Sequence, residues 1–290
     1  MIAVAPALRA QAAVDRCGLR IPESEQRAYV GLPTGDVFCP LLADPKAIRS
    51  FLSYQRTVGE GDSLSTIGSV GVGDQFPLAR WGGRTRGNGV QLSLEGAVFA
   101  QFDLGSESFD LLNADYLVGV PITIRRDAFA MRLRVYHQSS HLGDEFLLRS
   151  EHPERVNLSF EAAEALLSID GPIRLYGGGE FLFHRSPAAL QKFVAHAGAE
   201  VRRGAPLINL GATIGGVRPV LAVDLKAAQE QDWKPAVSAR AGFEFERTRG
   251  ADPPSRRWSL MAESYTGPSP YGQFFRQKIQ YIGLGMHFQL

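Results

Sequence analysis

A histidine and a serine two residues apart lie in segment 137–145, which has the densest cluster of reactive side chains in the chain. Residues two apart on a β-strand point to the same face, so His137 and Ser139 would be neighbours there. An imidazole beside a serine hydroxyl can take the hydroxyl proton and make the oxygen a nucleophile. The spacing therefore matches serine-dependent hydrolysis of an ester or amide.

The segment that carries this pair has the period-two pattern of a strand. Arg132, Arg134, Tyr136 and Gln138 share one face. The opposite face is apolar and ends with the candidate pair; it consists of Phe129, Met131, Leu133, Val135, His137 and Ser139.

Period-two alternation recurs along most of the chain and predicts an all-β protein. It is strict in 90–104, 237–245 and 281–290. Weaker alternation marks 114–125, 129–139, 173–184, 193–202, 206–213, 217–226 and 258–265, and less regular strands are expected at 50–58, 66–81 and 156–168. Together these segments indicate about twelve long strands.

The length of these strands favours a membrane barrel over a soluble one. Soluble β-proteins have strands of about five or six residues, and their apolar face fills the interior. Twelve long strands enclose more space than side chains can fill, so the apolar face must point outward, to lipid. No apolar run approaches the ~18 residues of a membrane-spanning helix. We therefore expect a closed antiparallel transmembrane β-barrel of about 12 strands in the outer membrane.

The charges are balanced and scattered. There are 31 Lys and Arg against 30 Asp and Glu, with no basic stripe, which excludes nucleic acid as a partner. Confined charges must pair, so we expect a largely plugged polar lumen, whereas a channel would favour one sign of charge. The predicted inward set is Glu95, Asp103, Asp115, Arg125, Arg132, Arg134, Arg174, Glu180, Glu200, Arg240, Glu244 and Glu263.

The first 46 residues lack a sustained strand pattern. Residues 1–12 end in Ala-Gln-Ala and are interpreted as the remnant of a secretory signal. Residues 13–46, rich in Pro and Gly, are expected to form a periplasmic lead-in segment before the barrel of residues 47–290. Cys17 and Cys39 either pair in an oxidising periplasm or remain buried thiols.

Two resemblances support the barrel. The last strand, which ends in Phe288 and Leu290, resembles the strand by which the barrel assembly machinery recognises outer-membrane proteins. The segments ADPK at 43–46, DQFP at 74–77, NADY at 113–116, HQSSHLGDE at 137–145, RLYGGG at 174–179 and SPYGQ at 269–273 together resemble an uncharacterised family of outer-membrane barrels, a domain of unknown function. This resemblance implies the fold and no activity.

Locally, the segment around His137 resembles two outer-membrane hydrolases, phospholipase A and the lipid A deacylase, which carry His-x-Ser on the outer wall. The resemblance implies His137 as base, Ser139 as nucleophile and Glu151, by its interval from the serine, as the residue that orients the histidine. No cofactor is required by the sequence itself. The phospholipase also uses calcium, for which Asp144 and Glu145 are nearby oxygen donors.

Two functions remain open, and outer-membrane lipids are the expected partners in both. One is a structural or lipid-associated barrel with a plugged lumen; the alternative is a surface lipid hydrolase that uses the His-Ser pair.

The sequence also leaves open which leaflet of the membrane His137 faces. If 156–168 spans the membrane, His137 lies at the periplasmic end; if it is a loop or short helix, which the tight turn at 125–127 favours, His137 lies in the outer leaflet.

Overall fold

The computed structural model describes residues 29–58, 64–83, 87–149, 155–203, 205–211, 215–246 and 257–289. These residues form strands and one short α-helix, α1 (Asp144–Arg149), and none of their helices is long and apolar enough to cross a membrane. The strands are β1 (Tyr29–Gly31), β2 (Ser50–Val58), β3 (Leu64–Gly82), β4 (Gly89–Asp103), β5 (Leu111–Arg126), β6 (Phe129–Leu142), β7 (Ser159–Ile169), β8 (Arg174–Ser186), β9 (Phe193–Arg202), β10 (Ile208–Asn209), β11 (Gly216–Ala228), β12 (Pro235–Glu246), β13 (Arg257–Pro268) and β14 (Lys278–Gln289).

Twelve of these strands close into an antiparallel barrel, as the alternation predicted. Strands β2 to β9 pair in chain order, β9 pairs with β11, β11 to β14 pair in order, and β14 returns to β2. The short strands add to the wall without spanning it: β1 pairs with the last residues of β3, and β10 with the first residues of β11. A closed wall leaves no unpaired strand edge in lipid.

One predicted strand was wrong. Segment 206–213 does not form a long wall strand in its described part, 206–211, where only Ile208 and Asn209 have strand partners, Val217 and Gly216. The sequence of segment 156–168 allows a spanning strand, a loop or a short helix. The structure has a spanning strand there, β7, which pairs with both β6 and β8. Both outcomes affect the number of spanning strands, and that number decides at which end of the barrel each strand begins.

We call the end at which β2 begins and β14 ends the terminal end, and the opposite end the loop end. The two shortest connections, at 127–128 and 170–173, lie at the terminal end. Short turns of outer-membrane barrels face the periplasm. The terminal end therefore faces the periplasm, and the loop end is extracellular.

Side chains divide between the two sides of the wall as the alternation predicted. Leu133 and Val135 of β6 are exposed on the outside, while their neighbours Arg132 and Arg134 are buried in the lumen. Of the twelve charged residues predicted to point inward, only Asp103 is not buried; it lies at the loop end, where it accepts a hydrogen bond from the backbone of Gly105.

Buried charges in the lumen pair across strands. Glu164 of β7 accepts hydrogen bonds from Arg132 at 2.7 Å and from Arg134 at 2.5 Å, and Arg134 also pairs with Glu95 at 3.0 Å. Arg240 pairs with Glu263 at 2.9 Å. Such pairs offset the large cost of removing charges from water, and losing one partner leaves the other charge uncompensated.

The lead-in segment does not lie apart from the barrel in its described part. Residues 37–39 and 41–45 are buried, and the wall binds their backbone from several sides. We call residues 33–49 the plug. Its backbone carbonyl oxygens accept hydrogen bonds from arginines of β3, β5, β8 and β12, namely Arg80 to Thr34, Arg125 to Val37, Arg174 to Pro40 and Arg240 to Leu42.

Charged side chains of the plug also bind the wall. Asp44 pairs with Lys226 of β11 at 3.3 Å, and Lys46 pairs with Asp115 of β5. Burial by itself would raise the pKa of Asp44, but Lys226 and His196 hold that pKa well below its usual range. These contacts connect opposite walls of the barrel through the plug.

A run of glycines in β8 is explained by the packing of the wall. A Cβ atom on Gly178 would overlap the carbonyl oxygen of Ala165 on β7, and one on Gly179 would lie 2.6 Å from the carbonyl oxygen of Val194 on β9. The backbone therefore approaches its neighbours too closely for side chains, which is the role expected for mid-strand glycine.

The ion pairs of the lumen should dominate barrel stability. We expect Glu164→Gln to lower the free energy of unfolding by about 3 kcal/mol, because it leaves buried Arg132 without its anion and removes one of the two carboxylates that pair with Arg134. Tryptophan fluorescence of detergent-refolded protein in urea would measure the change. Lys234→Ala is the matched control: its pair with Asp232 is exposed, and such pairs contribute less than about 1 kcal/mol. Equal losses in the two variants would contradict this account.

The plug should make stability depend on pH through Asp36. Burial, opposed by the hydrogen bond from Gln91, the charge of Arg80 and the hydrogen bond from Gln75, raises the pKa of Asp36 to about 6. A raised pKa gives stability below pH ~4 that is lost as the pH rises through about 6. Between pH 4 and 7, the wild type should lose about 1–3 kcal/mol relative to Asp36→Asn.

Urea unfolding at several pH values would check this difference. Asp232→Asn is the control, since the Asp232 side chain is 89% exposed. Parallel pH profiles for the wild type and Asp36→Asn would contradict the prediction.

Candidate functional site

His137 and Ser139 both lie on the outer wall of the barrel, near the loop end of β6. They alternate with buried Tyr136 and Ser140, whose side chains point into the lumen. The His137 side chain is 40% exposed, so its imidazole is partly packed against the wall and partly accessible from the membrane side. The pair therefore faces the lipid boundary, as the alternation predicted.

Strand register places a carboxylate beside the imidazole. His137 pairs directly with Glu161 of β7, and the Glu161 Oε1 atom lies 2.8 Å from Nδ1 of His137. A carboxylate at Nδ1 selects the tautomer with its proton on that nitrogen, which leaves the Nε2 lone pair free to accept a proton. This is the arrangement that a histidine needs to act as a general base.

Glu161 holds a second imidazole with its other oxygen. Nδ1 of His184 on β8 contacts Oε2 of Glu161, and His184 is the residue of β8 that pairs with Glu161. The His184 side chain is 78% exposed. We call His137, Ser139, Glu161 and His184 the wall cluster, because their side chains share one outward patch across β6, β7 and β8.

Ser139 lies between polar and aromatic neighbours on the wall. It pairs with Tyr116 of β5 on one side and with Ser159 of β7 on the other. Directly opposite residues on antiparallel strands have Cβ atoms about 4.5–5.5 Å apart. No hydrogen bond joins Ser139 to His137 within the part of the chain that the structure describes. Catalytic hydrogen bonds are often formed only when substrate is bound.

The other residues implied by the hydrolase resemblance are separate from this patch or outside the described ranges. Glu151 lies outside the described residues, so its role stays a prediction. Asp144 and Glu145 lie in the first turn of α1 in a loop-end connection, and both are exposed. Among the described residues they do not gather with a third metal-ligating side chain. The described residues near Asp144 and Glu145 therefore do not form a calcium site.

The site lies near the extracellular end of the wall. From Phe129 at the terminal end of β6 to His137 there are eight residues, or about 26 Å along the strand. Because strands of such barrels tilt by about 40°, this is about 20 Å along the membrane normal. The lipid-facing band of outer-membrane barrels is about 25 Å tall. His137 and Ser139 therefore lie close to the outer boundary of the hydrocarbon layer. The sequence-based expectation that a spanning strand at 156–168 puts His137 at the periplasmic end was wrong. Strand β7 does span the wall, but segment 206–213 adds no further spanning strand, and this reverses the direction of β6.

A model of one protein family matches residues 11–290, nearly the whole chain. The chain belongs to the DUF1207 family, whose function is unknown. This membership agrees with the predicted resemblance to an uncharacterised barrel family. Among curated proteins, none matches this DUF1207 protein significantly.

Solved structures similar to the DUF1207 barrel include outer-membrane phospholipases. Outer membrane phospholipase A from Escherichia coli has a TM-score of 0.54 at 12% identity over 85% of this chain and 93% of that chain. An active-site mutant of that enzyme at pH 6.1 has a TM-score of 0.55 at 11% identity, over 96% and 98%. The Salmonella typhi outer membrane phospholipase dimer with bound calcium has 0.53 at 12%, over 85% and 94%. At these identities the likeness establishes the shared outer-membrane barrel fold.

Sequence reasoning missed two members of the wall cluster. Glu161 lies in the run Glu-Ala-Ala-Glu-Ala-Leu-Leu, which also fits a helix, so its partner on β6 was not apparent. His184 stands alone in the sequence, with no metal-ligand spacing, so the sequence does not mark it as a site residue. The available signal was the alternation of β7 itself, which puts Glu161 on the same outward face as Ala163 and Ala165.

Proposed function

We propose that this DUF1207 barrel hydrolyses an ester bond of an outer-membrane lipid. Ser139 is the nucleophile, His137 the general base and Glu161 the positioning residue that holds the imidazole. The observation that carries the proposal is the 2.8 Å contact between Glu161 Oε1 and His137 Nδ1, on the lipid-facing wall and beside a serine. Outer membrane phospholipase A, which has a similar barrel fold, is by its name an enzyme of lipids, and this supports a lipid as the substrate class.

The arrangement supports two successive acyl transfers. Ser139 Oγ attacks the ester carbonyl carbon while its proton passes to Nε2 of His137. The bond to the alcohol oxygen of the lipid then breaks, and that oxygen takes the proton from His137. Water then gives a proton to His137 and attacks the acyl carbon. The bond between that carbon and Ser139 Oγ breaks, Oγ takes the proton back from His137, and a fatty acid is released.

The position of the cluster suits a lipid substrate. Ester bonds of membrane lipids lie at the boundary between hydrocarbon and headgroups, and the wall cluster lies near the outer boundary of the barrel's apolar band. A soluble ester would have no reason to approach a nucleophile on this wall. Outer-membrane lipids are therefore the proposed substrates.

A second candidate function is a structural, lipid-associated barrel without catalysis. It is favoured by the missing hydrogen bond between His137 and Ser139 and by the plug, whose contacts with β3, β5, β8, β11 and β12 obstruct the lumen. The same lumen argues against a channel, because its buried Arg and Glu side chains pair and present no single sign of charge.

The two candidates differ in one assay. We expect detergent-refolded wild type to release fatty acid from phospholipid or lipid A, and Ser139→Ala to lose this activity by on the order of 10³–10⁴-fold. Ser159→Ala, a serine directly across the strand pair, is the matched control and should retain activity. Because the Salmonella typhi phospholipase structure contains calcium, each assay is run with calcium and with a chelator.

Two further variants decide which carboxylate orients His137. Glu161→Gln should slow hydrolysis by lowering kcat, because the imidazole loses the anion that stabilises its protonated form. Glu151→Gln should leave the rate of hydrolysis unchanged. A slower rate in Glu151→Gln, with an unchanged rate in Glu161→Gln, would mean that Glu151 orients the imidazole of His137. Loss of activity in Ser159→Ala but not in Ser139→Ala would move the nucleophile to β7. A folded wild type with no turnover on either lipid would support the structural candidate.

A further inference from the structure

Two apolar grooves in the outer wall lie on either side of the wall cluster. The first, of about 360 Å³, crosses β3 to β6, and we call it the narrow groove. The second, of about 660 Å³, crosses β5 to β9, and we call it the wide groove. His137 itself lines the narrow groove, together with outward-facing Val72, Gly96, Val98, Tyr116 and Val118.

Small residues between bulky ones form both grooves. In the narrow groove, Gly96 lies between outward-facing Asp74 and Val118, with which it pairs across the strands. In the wide groove, Ala163 lies between Val135 of β6 and Phe181 of β8. The wall is therefore recessed where the small residues lie and raised at their neighbours.

Both grooves are continuous with the wall cluster. His137 lines the narrow groove directly. Towards the terminal end, Val135 is the next outward residue after His137 on β6, and Ala163 is the next after Glu161 on β7; both line the wide groove. The polar side chains thus lie where the two apolar grooves approach each other.

The length and surroundings of the wide groove fit a lipid chain. From His137 to Leu133 the strand advances about 13 Å, which at a tilt of about 40° is about 10 Å along the membrane normal and lies within the ~15 Å depth of one leaflet. The groove runs away from the outer boundary, into one leaflet, and outward-facing side chains along it are apolar, including Leu133, Phe181 and Phe193. A chain with its ester end at the wall cluster would lie along it.

We propose that the two grooves hold the two acyl chains of one lipid, so that the substrate of the wall cluster is a two-chain ester lipid of the outer leaflet. Two grooves can hold two acyl chains. A lipid with four or more acyl chains would have chains that neither groove holds. The assignment of the reaction rests on the proposed function. The occupancy of the grooves does not, because acyl chains can bind there whether or not Ser139 reacts.

Filling each groove separately tests the proposal. Gly96→Leu fills the narrow groove; a Cβ atom there would lie 3.7 Å from the nearest backbone atom, the Leu117 oxygen, so the wall accommodates it. Ala163→Phe fills the wide groove. Each variant should lower kcat/KM for diacyl phosphatidylethanolamine by about tenfold or more. A one-chain lysophospholipid should be affected by only one of the two variants, the one whose groove receives that single chain.

Ala241→Phe is the matched control, since Ala241 is an exposed outward residue of β12, on another part of the wall. It should hydrolyse both lipids as the wild type does. Wild-type kinetics of Gly96→Leu and Ala163→Phe on the diacyl lipid would overturn the proposal. Equal losses of kcat/KM in all three variants would also overturn it, because they would show that a bulky side chain anywhere on the outer wall lowers the rate.

A binding measurement keeps the proposal testable if no hydrolysis is found. Ser139→Ala protein is placed in vesicles of phosphatidylethanolamine that carry a photoreactive diazirine in the acyl chain, and the labelled peptides are mapped after illumination. We expect labelling of β4–β5 and β7–β9 to exceed labelling of β12, and to fall in the Gly96→Leu and Ala163→Phe proteins. If the wild type hydrolyses no lipid but the labelling follows this pattern, the proposed hydrolysis is refuted and the binding of acyl chains in the grooves is supported. Even labelling around the wall would overturn the groove assignment.

Discussion

Hydrocarbon offers no hydrogen-bond partner to a peptide group, and this constraint governs the whole structure. Every backbone N–H and C=O that crosses the membrane must pair within the wall, which requires the sheet to close on itself. Closure of twelve strands gives each strand one face towards lipid and one towards the lumen. Because the side-chain period is two, each residue's side is decided by parity along its strand.

The inner face shows the consequence of enclosing charges. Arginines and glutamates that parity directs inward are buried, so they must find partners across the lumen, as Glu164 does with Arg132 and Arg134. Residues 33–49 lie against this inner face, where they offer backbone carbonyl oxygens to further arginines and carry Asp44 and Lys46 to the facing walls. A lumen built in this way stabilises the barrel and obstructs passage through it.

The outer face shows the opposite situation, because polar residues there need a reason to face lipid. Glu161 forms hydrogen bonds with His137 and His184 across three neighbouring strands, with one carboxylate oxygen for each imidazole. This pairing lowers the cost of placing polar groups at the membrane boundary. It also leaves one imidazole nitrogen of His137 available next to Ser139, which is why the cluster supports a proposal of lipid hydrolysis as well as a structural role.

Alternation along single strands, which is a local property, was sufficient to predict the barrel, its outward apolar face, the burial of most inward charges and the outward direction of His137 and Ser139. Register between strands is not local, since it depends on shear and on connections that the pattern does not reveal. The pairing of His137 with Glu161 therefore appeared only in the tertiary structure, as did the failure of 206–213 to span the wall. The location of the plug was also decided by tertiary contacts, because a segment without periodicity takes its place from the arginines that bind its backbone.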